Sequence, residues 1–216
     1  MKNLRIAEIM LNEPESQVVD IFRQVGISEI TGTLNREFPD FRNFRFDEPW
    51  DYTSMLKYKM NFEERGLKLS VIEDNPPMEK IIYGLPEKEE QLESVAKLIE
   101  NMGKLGISVW CYNWMATGWF RSRHTFTGRG GALVGGFDIK DAEYYNTPKL
   151  GKIGKDSLWK NLENFLKFII PIAEESNVML AMHPDDPPIE ELFGVARIMN
   201  SFESFKHLVE VTSSHD

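Results

Sequence analysis

Three stretches of the chain repeat one device: "QVGIS" (24–28), "ERGLKLS" (64–70) and "KLGISVW" (104–110). Each joins the end of a helical pattern to an apolar run through a single glycine. A glycine just past a helix supplies the left-handed residue that ends it. A strand that follows at once is the αβ junction of a protein whose helices cover a parallel sheet. This device constrains the fold more than any single motif, because it fixes both the element types and their order.

The rest of the chain fits the same alternation. LRIAEIML (4–11) reads as a strand, and Glu13-Pro14-Glu15-Ser16 opens a helix through QVVDIFRQV that stops at Gly26. ISEITGTL (27–34) is a second strand. Residues 51–65 have helical periodicity and end at Gly66, and LKLSVIED (67–74) is the third strand. Residues 87–105 form a long amphipathic helix, and ISVWCYNW (107–114) is the fourth strand. Residues 157–176 read as a helix carrying Pro171, VMLAMH (178–183) as the fifth strand, and 201–211 as a last helix with Ser201 or Ser204 as its cap. Five strands alternate with five helices over residues 1–216, read as one domain. The segment 115–156 shows no clear periodicity, and such a long connection reads as a loop insertion over the active-site face.

Composition narrows the function. A formal net charge of -9 over 216 residues disfavours nucleic acid and anionic membranes as partners. Cys111 is the only cysteine, so no intrachain disulfide can form. The N-terminus lacks the apolar core of a secretory signal, and no run approaches the ~18 apolar residues of a membrane span. The expectation is a soluble cytoplasmic protein.

In an α/β protein of this kind, chemistry gathers where the strands end. Strand three ends in Glu73 and Asp74, strand four in Cys111, Tyr112, Asn113 and Trp114, strand five in His183, Asp185 and Asp186. In a barrel these tips surround one cavity. An imidazole among carboxylates suits a divalent cation such as Mn²⁺, Fe²⁺ or Zn²⁺. The plainer alternatives are a hydrogen-bonded structural His183, aspartates that cap the next segment, and a solvated Glu73. Cys111 falls inside an apolar strand and reads as a small hydrophobe. His124, His207 and His215 have no partner pattern. "GRGGALVGG" (128–136) matches neither phosphate-loop pattern. Arg121, Arg123 and Arg129 either reach a ligand carboxylate or pair with the chain's own acids.

"CYNWMATGWFRS" (111–122), "NLENFLKFIIPIAEESNVMLAMHPDDPP" (161–188) and "GVARIMNSFESFKHLVE" (194–210) resemble the metal-dependent mannonate dehydratases of hexuronate (glucuronate) catabolism, in the xylose-isomerase-like barrel group. The HPDDPP stretch is the most specific of these, and the N-terminal third is the least similar. The resemblance implies a (β/α)₈ TIM barrel of which about five βα units are present. It implies a hydro-lyase that converts D-mannonate to 2-keto-3-deoxy-D-gluconate with Mn²⁺ or Fe²⁺. His183 matches the family's first metal-ligand histidine. The family's further ligands (a cysteine, a histidine and an aspartate) and its acid–base residues come from later strands, and Cys111, His215 and Asp216 do not stand in their places.

That chemistry removes a weakly acidic proton α to a carboxylate, which a cation assists by holding the developing enediolate charge. A general acid then helps the C3 hydroxyl leave. Glu73, Asn113 and Arg121 are the candidate substrate contacts, and Asp185 the candidate neighbour of the metal, supporting His183 from outside. A barrel takes eight units and about 250 residues. Five units are expected to leave two open sheet edges and an exposed inner face, and to turn over slowly or not at all alone. The expected partner is a small sugar acid, with no nucleic acid and no membrane, and a homo-oligomer as an open alternative. The other readings are a sugar isomerase or epimerase of the same barrel group and a non-catalytic remnant or assembly subunit.

Overall fold

The computed structural model describes residues 4–10, 16–34, 48–144 and 149–213. Its contacts divide the protein into two compact units. One comprises Met1–Met78, Glu89–Tyr112 and Phe168–Ala181; the other comprises Glu79–Lys88, Asn113–Lys167 and Met182–Asp216. Among the described residues no helix is long and apolar enough to cross a membrane.

The first unit is built on a five-stranded sheet. Strands β1 (Ala7–Met10), β2 (Glu29–Gly32), β3 (Lys68–Glu73) and β4 (Val109–Tyr112) pair in parallel in chain order, and β7 (Met179–Met182) follows β4 at the edge. Helices α1 (Ser16–Val25), α2 (Tyr52–Glu63), α4 (Glu89–Leu105) and α5 (Lys155–Glu175) are the crossovers. The three glycines of the sequence device all have positive φ: Gly26 at 80°, Gly66 at 74° and Gly106 at 69°. Each donates to the carbonyl three residues back, and the next residue donates to the carbonyl five back, as Ile27 does to Phe22 at 2.8 Å. That is the Schellman closure of a helix. Asn177, at φ 54°, makes the same closure after α5, with Val178 bonded to Ala173. Asparagine tolerates this backbone next best after glycine, so "SNVML" is a fourth copy of the junction in different letters.

The apolar face of α4 carries Val95, Leu98, Ile99 and Met102, all fully buried. Their spacing keeps them on one side of the helix. The sheet contributes Ile30, Leu69, Ile72 and Trp110 to the same unit's core. The buried Trp110 indole donates to Asp74 O at 2.8 Å, so its polar edge is satisfied. The outer strands are the exposed ones. Ile9 on β1 and Met179 on β7 are exposed, whereas the central β2 and β3 are mostly buried. β1 and β7 are the first and last strands of this sheet.

The second unit holds what periodicity does not reveal. Segment 115–156 contains an antiparallel hairpin, β5 (Arg123–Thr127) with β6 (Leu133–Gly136), and a 3₁₀ turn at Ile139–Tyr144. It is therefore not structureless. Its glycines and its exposed strands erase the apolar alternation that would announce it. Further elements are too short to read from sequence: α3 (Glu79–Tyr83) and the two-residue strands β8 (Glu191–Leu192) and β9 (Val195–Ala196). Helix α6 (Phe202–Ser213) begins where Ser201 Oγ accepts Ser204 N–H at 3.3 Å. Ser201 is thus the cap, and Ser204 lies buried inside the helix. The start signal at 13–15, and His215 with Asp216, fall outside the described residues.

Gly103 of α4 faces the end of α5 with no room for a side chain. A Cβ there would stand 2.5 Å from Ser176 O, at the end of α5. Neither backbone can yield cheaply, so Gly103→Ala is expected to destabilise the protein by about 1–3 kcal/mol, as overpacking does. Urea unfolding checks this: a midpoint equal to the unsubstituted protein's contradicts the close approach.

Candidate functional site

Strand β7 runs straight into His183-Pro184-Asp185-Asp186-Pro187-Pro188. Three of these six residues are prolines, which have no N–H to donate. Bonds from outside the loop therefore fix its shape. Asp185 N–H donates to Met199 O at 2.9 Å, and Met199 N–H returns to Asp185 Oδ2 at 2.6 Å. Asp186 N–H meets Met115 Sδ at 3.3 Å, and the Asp186 carboxylate receives Arg121 bidentately at 2.8 and 2.5 Å. The Asp186–Pro187 peptide is cis.

Beneath the loop lies Arg197, with its side chain 1% exposed. Its guanidinium spans two segments. Nη2 donates to Thr117 Oγ1 at 2.8 Å and to Gly118 O at 2.9 Å, while Nη1 donates to Asp186 O at 3.3 Å. Nη1 also lies 3.7 Å from Asp185 Oδ1. Burial pushes the Asp185 carboxyl above its ordinary value, against the opposing pull of the Met199 N–H, Arg197 and His183. Arg197 remains a cation, because guanidinium does not lose its proton in proteins.

His183 Nδ1 lies 2.6 Å from Pro184 O. A carbonyl only accepts, so Nδ1 is the donor in this contact, and in the neutral ring Nε2 then keeps the lone pair. That is the tautomer of an imidazole suited to ligate a metal through Nε2. Among the described residues, however, no three of His, Cys, Asp and Glu come together in a set able to hold a metal ion. The described residues therefore do not complete a metal site by themselves.

The other candidates are placed as follows. Arg121 is engaged with Asp186, and Arg123 with Asp141 at 2.7 Å, so both pair with the chain's own acids. Asn113 Oδ1 accepts Met115 N–H at 3.3 Å, a local turn just beyond β4. In the first unit, Glu73 ends β3 and pairs in register with Cys111 of β4. Cys111 is half-buried rather than buried, and burial followed by the Glu73 charge pushes its thiol up to about 11. This is the opposite of an activated thiolate. His124 is exposed on β5, and His207 is exposed with its ring edge-on to Trp159 at 4.4 Å. "GRGGALVGG" forms the turn and second strand of the β5–β6 hairpin. Sequence does not single out Arg197 and Thr117. The available signal is a lone arginine inside an apolar run, "VARIM", which calls for a buried partner.

Two measurements check this geometry. Asp185→Ala removes one partner of a buried pair and is expected to cost about 3–5 kcal/mol, whereas Asp185→Asn, which keeps the acceptor for Met199, is expected to cost clearly less. Equal losses in urea unfolding would contradict the pairing. At pH 8 the Cys111 thiolate is expected at about one part in a thousand, from a pKa of about 11. Alkylation by iodoacetamide should then lag far behind free cysteine, and Glu73→Gln should speed it.

Known proteins are similar to this chain in sequence and fold. The sequence model of the D-mannonate dehydratase (UxuA) family matches residues 17–152 and 147–216, which include the whole HPDDPP loop. The mannonate dehydratase of Oceanobacillus iheyensis is 31% identical over 225 residues, covering 89% of this chain and 64% of that protein. The crystal structure of mannonate dehydratase from Streptococcus suis serotype 2 superposes with a TM-score of 0.82 at 27% identity, over 97% of this chain and 61% of that one. D-Psicose 3-epimerase from Clostridium cellulolyticum H10 matches with a TM-score of 0.56 at 9% identity, over 96% of this chain and 60% of that one, a likeness of fold alone. The chain thus spans a little under two thirds of the length of these relatives. Its α/β fold is of the (β/α)₈ TIM-barrel type, with five βα units in these residues. With the family's sequence pattern matched along nearly all of it, this chain belongs to the D-mannonate dehydratase family.

Proposed function

We propose that the protein acts in the dehydration of D-mannonate to 2-keto-3-deoxy-D-gluconate, a hydro-lyase step of hexuronate catabolism in the cytoplasm. The observation that carries this reading is the family match through the loop after β7, where His183 is held in the tautomer that ligates through Nε2. In this reading Mn²⁺ or Fe²⁺ is the cofactor, and His183 supplies one of its ligands. Asp185 is the proposed neighbour of the metal that supports His183 from outside, a role compatible with a carboxylate buried against Met199 and Arg197. Glu73, Asn113 and Arg121 are the proposed substrate contacts. The substrate is a small sugar acid, whose carboxylate suits a guanidinium fork.

The test incubates the purified protein with D-mannonate and Mn²⁺ or Fe²⁺ and identifies products by mass and by the 2-keto-3-deoxy acid reaction. Conversion with loss of one water is expected to be slow or absent in this chain alone, and His183→Ala is expected to abolish metal-dependent D-mannonate binding along with metal retained after dialysis. Conversion at unchanged mass would replace this reading with an isomerase or epimerase. Rates far below the ordinary enzyme range (~1–10³ s⁻¹) still support it if D-mannonate binding requires the metal. No retained metal and no binding would overturn it in favour of a non-catalytic assembly subunit.

A further inference from the structure

We infer that Arg197 is a positioning residue that sets the tautomer and direction of His183, acting through the Pro184 carbonyl. One peptide plane makes the link. Pro184 C=O and Asp185 N–H belong to the same trans peptide and point in opposite directions. Asp185 N–H is fixed on Met199 O. The Pro184 carbonyl is therefore aimed to the other side, where it accepts His183 Nδ1–H at 2.6 Å. Whatever holds Asp185 against Met199 holds the imidazole.

Arg197 is placed to do this from both sides. It lies two residues before Met199 in the sequence, and its guanidinium reaches Asp185 Oδ1 and Asp186 O on the loop. The other end of the guanidinium is anchored on Thr117 and Gly118, in the segment after β4. One planar group with several donors thus ties three pieces of backbone together, a task for which an ammonium lacks the geometry. Stability alone does not explain a cation here. A buried ion pair is weak evidence for stability and is often replaced by apolar residues without loss. Arg197 Nε is moreover buried with no hydrogen-bond partner among the described residues. A fixed loop geometry accounts for keeping it.

The functional meaning of this role rests on the reading of His183 as a metal donor, but its test does not depend on turnover. The ¹⁵N-labelled protein is studied at a pH where His183 is neutral, and long-range proton–nitrogen spectra report which ring nitrogen bears hydrogen. His183→Gln identifies the signals. The wild-type ring is expected in the Nδ1–H form. Arg197→Met is expected to shift His183 to a mixture dominated by the Nε2–H form that imidazole prefers in water, with the other histidine signals unmoved. Arg197→Lys is expected not to restore the wild-type pattern. Thr117→Val, a milder change at the far anchor, is expected to give a smaller shift in the same direction and decides the matter if Arg197→Met does not fold. A wild-type ring in the Nε2–H form, or an unchanged His183 pattern in folded Arg197→Met or in Thr117→Val, would overturn the inference. Failure to convert or bind D-mannonate, with these tautomer shifts intact, would instead count against the dehydratase reading alone.

Discussion

Parallel strands cannot be joined by a tight turn, so each requires a crossover of a dozen or more residues, and the backbone must leave every crossover helix at a controlled angle. In this protein that control is one backbone device used repeatedly. Gly26, Gly66, Gly106 and Asn177 each turn the backbone through the left-handed region, and the residue that follows enters the next strand. Leu67, Ile107 and Val178 are buried at that point. The helix closure and the first core residue of the strand are therefore one structural unit. Its repetition carries the protein through β4 and α5 into β7, and so delivers His183 one residue beyond a strand whose start is pinned by Met179 N–H on Ser108 O.

Beyond β7 the logic reverses. A loop of prolines cannot organise itself through its own amides, so side chains organise it instead. Two aspartates and two arginines take up the task in different ways. The Arg121–Asp186 pair is about one third exposed on both sides, where the net contribution of an ion pair is about 0–1 kcal/mol. It orients but does not weld. The Arg197–Asp185 pair is almost wholly excluded from water, and its hydrogen bonds go to backbone and hydroxyl groups that would otherwise be unsatisfied. The deep pair defines the loop's geometry and the shallow one trims its rim.

This division also explains what can be read from the letters. The α/β alternation is legible because glycine at a helix end is a local signal with a local cause. Asn177 performs the same closure, yet no glycine marks it, so "SNVML" reads as helix end and strand start without the junction itself. His183 and Asp185 are legible as a strand end turning polar. Arg197 is not, because its partners Thr117 and Gly118 lie about eighty positions earlier in the sequence and nothing local encodes that contact. The β5–β6 hairpin is hidden for a different reason. Both of its faces are largely exposed, so there is no apolar period to find. Cys111 reads as buried and is only half-buried, since its partner across the sheet is the carboxylate-bearing Glu73 at the strand end rather than an apolar neighbour.

The proposed contacts with a sugar acid inherit a constraint from this arrangement. Arg121 already gives both terminal nitrogens to Asp186, so a substrate carboxylate would have to share the guanidinium with Asp186 or approach it along the Nε edge. Asn113 already accepts Met115 N–H on its carbonyl oxygen, so a sugar hydroxyl would meet a side chain whose direction that local turn sets. Recognition built this way is directional. The loop's own ion pairs decide in advance which edge of each polar group a ligand can use, and a ligand that presented its acceptors differently would have to break a bond of the loop to bind.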